Sequence, residues 1–278
     1  MYAFINGEIK RNNDVLISPF DHGFLYGVGV FETFRTYEGK VFLLEEHVNR
    51  LNAALRELNI DLHVTGREVE NIVARLDEAN GWANSYIRFN VSAGEGEIGL
   101  QTAPYKQPNV IVFQKPLQPA GKISEKSGIW LETRRTRPEG AFRLKSHHYL
   151  NNIFGKREVG EDPLTEGLFL TEDGFVAEGV VSNLFWVKGR TVYTPSLDTG
   201  ILNGVTRLFV IELARSAGFH VNEGLFTPAE AEAADEVFVT NSIQEIVPLS
   251  SLNEKPFPGQ RGETAQFFFK QYREAVRQ

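Results

Sequence analysis

Phe142-Arg-Leu-Lys145-Ser-His-His-Tyr-Leu-Asn-Asn-Ile-Phe-Gly-Lys156 sets a lysine just before a Tyr, Leu, Ile and Phe pattern that a folded chain buries. An amine taken out of water gives up its proton more readily, and a neutral amine attacks an aldehyde carbon. Those are the demands on a lysine that forms a Schiff base. The run also suits a solvated lysine at the start of a helix, so by itself it leaves both roles open for Lys145.

Downstream, Ala177-Glu178-Gly-Val-Val-Ser-Asn183-Leu-Phe-Trp186 carries a single carboxylate in an otherwise apolar stretch that re-enters a strand. Burying a lone acid is costly unless it meets a cation, and a protonated pyridine nitrogen is such a cation. A surface hairpin acid is the plainer alternative, with Gly174 and Gly179 close by. Two further segments look like anion cradles. Gly200-Ile-Leu-Asn-Gly204-Val205-Thr206-Arg207 leads into a predicted helix, whose free N–H groups and dipole favour a phosphate. Val239-Thr-Asn-Ser242-Ile243 ends a strand with hydroxyl and amide side chains. Arg50 could add a charge-assisted bond to the same anion, or pair along its own helix with Glu45 or Glu46.

Around these segments the chain alternates strands and helices. Strand-like runs at 2–5, 86–91, 110–113, 129–132, 168–171, 184–187 and 237–240 are rich in β-branched and aromatic residues between turn signals. Leu44, Val48, Leu51, Leu55 and Leu58 recur at spacings of three and four, which predicts a helix over 44–58 with one core face. Helices are also expected over 206–217 and 263–276, and Thr227-Pro-Ala-Glu230 reads as a capping box. A mixed α and β protein follows. The segment Gln114-Lys-Pro-Leu-Gln-Pro-Ala-Gly121 has two prolines and no period, so a linker is expected over 115–121 between domains 1–114 and 122–278.

Composition narrows the chemistry. With 278 residues, 42% of them hydrophobic and 23% charged, the chain has the makings of one large or two medium globular domains. Lys plus Arg number 29 against 36 Asp plus Glu, a formal net charge of -7, which argues against nucleic acid or an anionic membrane as partner. The absence of cysteine removes disulfides, thiolate metal sites and cysteine nucleophiles. No run of 18 apolar residues and no leader-like N-terminus is visible, so a cytoplasmic protein acting on a small molecule is expected.

Two motifs are set aside. Gly94-Glu-Gly-Glu-Ile-Gly99 matches a dinucleotide fingerprint, but proline-bearing Leu100-Gln-Thr-Ala-Pro-Tyr-Lys-Gln-Pro108 follows instead of a helix. The six histidines show no pair at the helical spacing that would place both on one metal, so no metal site is expected.

A Schiff-base lysine, a carboxylate for a ring nitrogen, and a helix N-terminus with an arginine for a phosphate are together what a pyridoxal phosphate site needs. Phe31-Glu-Thr-Phe-Arg35, His47-Val-Asn-Arg50-Leu51, Leu144-Lys145, Glu178-Gly179, Ser182-Asn183-Leu-Phe185, Gly204-Val-Thr206-Arg207 and Thr240-Asn-Ser-Ile-Gln-Glu-Ile-Val-Pro248 carry the resemblance. In that order they resemble the fold type IV pyridoxal phosphate enzymes: branched-chain aminotransferases, D-amino acid transaminases and 4-amino-4-deoxychorismate lyases.

The resemblance implies a small N-terminal α/β domain, a larger C-terminal domain with a barrel-like sheet, pyridoxal 5'-phosphate as cofactor and a homodimer. It implies Lys145 as the Schiff-base residue, Glu178 on the ring nitrogen, Arg50, Val205, Thr206, Ser242 and Ile243 around the phosphate, and Asn183 and Gly204 as further cofactor-binding residues. Within the family the chain is most similar to the bacillar-type aminodeoxychorismate lyases, which release 4-aminobenzoate and pyruvate for folate synthesis. Where a D-amino acid transaminase holds the substrate carboxylate with Tyr, Arg and His, this chain has Phe31, Ile98 and Leu100. Phe31, with Arg35, Arg88 and Arg143 for two carboxylates, would then line the substrate's site. A D-amino acid or branched-chain aminotransferase remains the alternative, and a non-catalytic binding protein of the same fold is the other.

Overall fold

Leu44, Val48, Leu51 and Leu55 lie on one face of a helix in the computed structural model, which describes residues 1–119 and 121–278. The chain divides into a first unit, Met1–Gly121 with Leu144–His148, and a second, Lys122–Arg143 with Tyr149–Gln278.

The first unit runs β1 (Tyr2–Ile5), β2 (Glu8–Arg11), α1 (His22–Tyr26), β3 (Gly29–Tyr37), β4 (Lys40–Val41), α2 (Leu44–Glu57), α3 (Gly66–Asn80), β5 (Ser85–Ser92) and β6 (Asn109–Pro116). Its six strands form one sheet in the order β2-β1-β6-β5-β3-β4. Because side chains alternate along a strand, Val30 and Phe34 of β3 join Ile87, Phe89 and Val91 of β5 in a core with Val48, Leu51 and Leu55 of α2 and Val69, Val73 and Leu76 of α3. Helix α3 was not expected from the sequence, although Thr65 and Glu68 form a capping box at its start. The register Phe31↔Asn90 and Thr33↔Arg88 puts Phe31, Thr33, Arg88 and Asn90 together on the other face of the sheet.

The observed units differ from the expected boundaries at two places. Phe31 N–H donates to Lys145 O at 2.8 Å and His147 N–H to Gly29 O at 3.0 Å, so Leu144–His148 extends the pairing of β3 instead of joining 122–278. Strand β6 continues to Pro116, opposite Ser85, two residues into the expected linker. Ala120 of that linker lies outside the described residues.

The second unit comprises β7 (Lys126–Trp130), α4 (Leu150–Val159), β8 (Thr165–Leu170), β9 (Val176–Gly179), β10 (Asn183–Lys188), β11 (Thr191–Pro195), α5 (Val205–Ser216), β12 (His220–Gly224), α6 (Pro228–Glu232), β13 (Glu236–Asn241), β14 (Glu245–Leu252), β15 (Lys255–Pro256) and α7 (Glu263–Val276). Its nine-stranded sheet has the order β12-β11-β10-β13-β14-β7-β8-β9, with β15 on β14. The central strands are buried on both faces. Leu184 and Trp186 pack with Val237, Val239, Val247 and Leu249 on one face, while Phe185 stacks on Phe238 and Phe238 meets Phe268 of α7 on the other. Strand β7 starts three residues earlier than the expected 129–132 and ends at Trp130. Its polar start is possible because Lys126 Nζ finds Glu166 at 2.8 Å. The mixed α and β architecture, with the larger sheet in the C-terminal unit, is the fold class the sequence implies. No helix among the described residues is long and apolar enough to cross a membrane.

Candidate active site

In the first unit, Lys145 sits on the edge of β3 through backbone pairing, with Ser146 bridging Val30, and not at the start of a helix. Its Nζ lies 4.7 Å from the centre of the Phe31 ring, and the Arg88 guanidinium lies 3.5 Å from the same centre. One aromatic ring thus gathers two basic side chains. His147 Nε2 meets Asn90 Oδ1 at 3.0 Å, and burial, then the charge of Arg88, pushes the His147 ring down to about 4. A neutral imidazole results beside Arg88. Arg35 is buried and donates to Gln118 O at 2.9 Å while stacking over Tyr37, so its guanidinium is engaged in holding the chain.

On the opposite face of β3, Glu32 turns towards α2. Arg50 Nε donates to its Oε1 at 2.7 Å and Arg50 Nη2 to its Oε2 at 2.6 Å, a two-point fork, and His47 Nδ1 lies 2.7 Å from Oε2. Burial alone would raise the Glu32 carboxyl, but Arg50 and His47 outweigh it and hold it at about 2. Arg50 therefore pairs across to β3.

In the second unit Glu178 is buried on β9, which removes the surface-acid alternative. Its cation is a protein side chain: Arg135 Nε donates to Glu178 Oε1 at 2.9 Å and Nη2 lies 2.8 Å from it. Glu178 Oε2 accepts Leu202 N–H at 3.0 Å and Asn183 Nδ2 at 3.3 Å. Arg135 is in turn held by Asn151 Oδ1 at 2.7 Å and Asn152 Oδ1 at 3.3 Å, the second and third residues of α4. Arg143 Nε lies 4.0 Å from Glu178 Oε1 and donates to Gly200 O, and Arg143 Nη2 donates to Thr136 O. Burial, then repulsion from Arg135, lowers Arg143 to about 10.

Next to this carboxylate, α5 opens at Val205 with Gly204 before it and no side chain capping its first turn. The first N–H groups of a helix have no partner within it, so they suit an anion. A methyl group on Gly204 would run into Asn183 Oδ1, which is why only glycine fits this close approach. Thr206 Oγ1 and Ser242 Oγ are 3.3 Å apart, bringing the helix start and the β13–β14 turn together. Uncapped N–H groups flanked by two hydroxyls and a glycine fit a phosphate. Ile243 differs from expectation, because its N–H already donates to Asn241 Oδ1 at 3.0 Å.

The second unit therefore brings together Arg143, Glu178, Asn183, Gly204, Val205, Thr206, Ser242 and Ile243. The first unit gathers Phe31, Arg88 and Lys145 on one face and Arg50 on the other, while Arg35 is turned to Gln118. Glu32, His47, Arg135 and the Leu202 N–H were missed. Glu32 was open to discovery as the one acid in the apolar alternation Phe31-Glu-Thr-Phe, whereas Arg135 stands in Thr133-Arg-Arg-Thr-Arg137 among other arginines and had no local signal. Among the described residues no group of three potential metal ligands occurs.

Comparison with known proteins places these residues in context. The family model for class IV amino-transferases matches residues 29–252. The chain is 46% identical over 276 residues to an aminodeoxychorismate lyase of Bacillus subtilis strain 168, covering 99% of this chain and 94% of that one. It is 30% identical over 253 residues to a D-alanine aminotransferase of Bacillus licheniformis, covering 91% and 89%. Among solved structures, a branched-chain aminotransferase from Thermoproteus uzoniensis, determined with norvaline, superposes with a TM-score of 0.87 at 29% identity, covering 99% and 94%.

Proposed function

We propose, because this chain belongs to the class IV aminotransferase family of fold type IV pyridoxal phosphate enzymes, that it acts as a 4-amino-4-deoxychorismate lyase yielding 4-aminobenzoate and pyruvate. The observation that carries the lyase reading is the 46% identity to the Bacillus subtilis lyase along 99% of the chain. Phe31, Ile98 and Leu100, which offer no side-chain hydrogen bond to a carboxylate, agree with it.

Family membership implies pyridoxal 5'-phosphate as the cofactor. When bound, the cofactor supplies an aldehyde carbon for an amine and a ring that accepts electron density. Lys145 would hold the aldehyde carbon, and its Nζ would take the proton from the amine-bearing carbon of the substrate. Glu178 would keep the ring nitrogen protonated, its oxygens oriented by Arg135, Asn183 and the Leu202 N–H. The N–H groups of Val205 and Thr206, with the Thr206 and Ser242 hydroxyls, would hold the phosphate together with Arg50; Ile243 would join only by releasing Asn241. Arg88 and Arg143 are the arginines we assign to the substrate carboxylates.

Amino transfer is the second reading, and it has the wider body of support: the D-alanine aminotransferase and the branched-chain aminotransferase structure both stand with it. Both readings share Lys145. Replacing it by alanine is expected to abolish turnover and the absorbance band near 410 nm that cofactor addition produces; substantial remaining turnover would contradict either one. We further infer a homodimer, on the strength of Phe24, Ile98 and Leu100, which are 69%, 77% and 89% exposed on the first unit. Sedimentation at a monomer mass would contradict it.

A further inference from the structure

Glu32 is a buried acid where an apolar residue would serve the core. Its strand neighbours on the same face, Val30 and Phe34, belong to the hydrophobic cluster between the sheet and α2, and Glu32 itself is 2% exposed. A buried ion pair seldom adds stability over well-packed apolar residues, so stability alone does not account for it. The geometry does. His47 and Arg50 are three residues apart on α2, hence on one side of that helix, and both reach the same carboxylate.

Each part of the cluster restricts the next. Burial pushes the His47 ring below its ordinary range, with the Phe34 ring 5.3 Å away, so His47 is set by packing and by its bond to Glu32 Oε2. The carboxylate is thereby fixed on one side, and the fork through Arg50 Nε and Nη2 fixes it on the other. A guanidinium held at two points has a fixed plane, with its Nη1 end turned away from the carboxylate. The Arg50 side chain is 19% exposed against 3% for Glu32, so the arginine rises from the core while its anchor stays inside.

We propose that Glu32, itself oriented by His47, is a positioning residue that fixes the Arg50 guanidinium for the phosphate of the cofactor. The inference rests on the assignment of Arg50 to that phosphate, and the test separates the two. Affinity of the cofactor-depleted enzyme is measured by absorbance and fluorescence for pyridoxal 5'-phosphate and for pyridoxal, which lacks the phosphate.

Arg50→Ala is expected to weaken pyridoxal phosphate by roughly 10- to 100-fold, the loss of a charge-assisted bond, and pyridoxal by less than about twofold. Glu32→Gln, which keeps the shape but halves the fork, is expected to weaken pyridoxal phosphate by about tenfold with the same indifference to pyridoxal. Equal losses for both ligands with Arg50→Ala would overturn the Arg50 assignment. With Arg50→Ala selective, an unchanged Glu32→Gln enzyme, or one that loses both ligands equally, would overturn the positioning role alone. Should Glu32→Gln not fold, His47→Asn carries the test: a selective loss for pyridoxal phosphate supports the proposal, and an unselective or absent one overturns it.

Discussion

Arg135 and Glu178 form a closed ion pair inside the second unit, with Arg135 Nη2 2.8 Å and Nε 2.9 Å from the same carboxylate oxygen and both side chains no more than 5% exposed. The Glu178 carboxylate therefore already has a cation as its partner. Arg135 fixes one oxygen, and Asn183 and the Leu202 N–H define the other.

Breaking this pair leaves a charge without a partner in the interior. Arg135→Met is expected to cost about 3–5 kcal/mol of stability, because an uncompensated buried carboxylate is far more expensive than the intact pair. Urea unfolding of the enzyme with and without cofactor measures it. A loss below about 1 kcal/mol would show that Glu178 finds another partner, Arg143 being the nearest at 4.0 Å.

Gly204→Ala tests the close approach at the start of α5. The added methyl group meets Asn183 Oδ1, so the amide must leave either Glu178 or Leu202 O. Overpacking of this kind typically costs about 1–3 kcal/mol. Thermal unfolding should show that loss together with weaker pyridoxal phosphate binding, and an enzyme with unchanged stability and affinity would mean the cradle has room to spare.

Acid should destabilise the protein in two stages. Burial and then Arg88 lower His147 from 6.5 to about 4, and Arg50 and His47, against the opposing effect of burial, lower Glu32 from 4.5 to about 2. Both groups bind fewer protons folded than unfolded at mildly acidic pH, so stability is complete above about pH 6.5 and falls as pH drops. The His147 contribution is lost between 6.5 and 4 and that of Glu32 between 4.5 and 2. Urea midpoints from pH 7 to 4 should decline, and His147→Gln should flatten that decline; a midpoint constant over this range would contradict the assignment.

The elements readable in the sequence were those with a clean period or a clear cap. The 44–58 spacing became α2 at Leu44–Glu57, and the strand at Tyr2–Ile5 has the expected bounds. Helix α4 escaped because Leu150, Ile153 and Phe154 are exposed and its buried residues are Asn152 and Gly155, so it has no apolar stripe facing a core. Lys145 and Glu178 were marked as candidates by the order of motifs along the chain. Their partners were not: Arg135 reaches Glu178 across 43 residues, and Glu32 meets Arg50 across 18, through pairings that exist only once strands and helices are packed. The grouping of Leu144–His148 with the first unit was hidden for the same reason, since backbone bonds to Gly29 and Phe31 leave no trace in composition.

One paired assay of the cofactor-loaded enzyme separates a lyase from a transaminase. Release of 4-aminobenzoate from 4-amino-4-deoxychorismate is followed without any keto-acid acceptor, beside amino transfer from D-alanine and L-leucine to 2-oxoglutarate. We predict 4-aminobenzoate release that needs no acceptor and is lost in Lys145→Ala. Amino transfer without 4-aminobenzoate release would contradict the lyase reading and assign the same lysine to a transaminase.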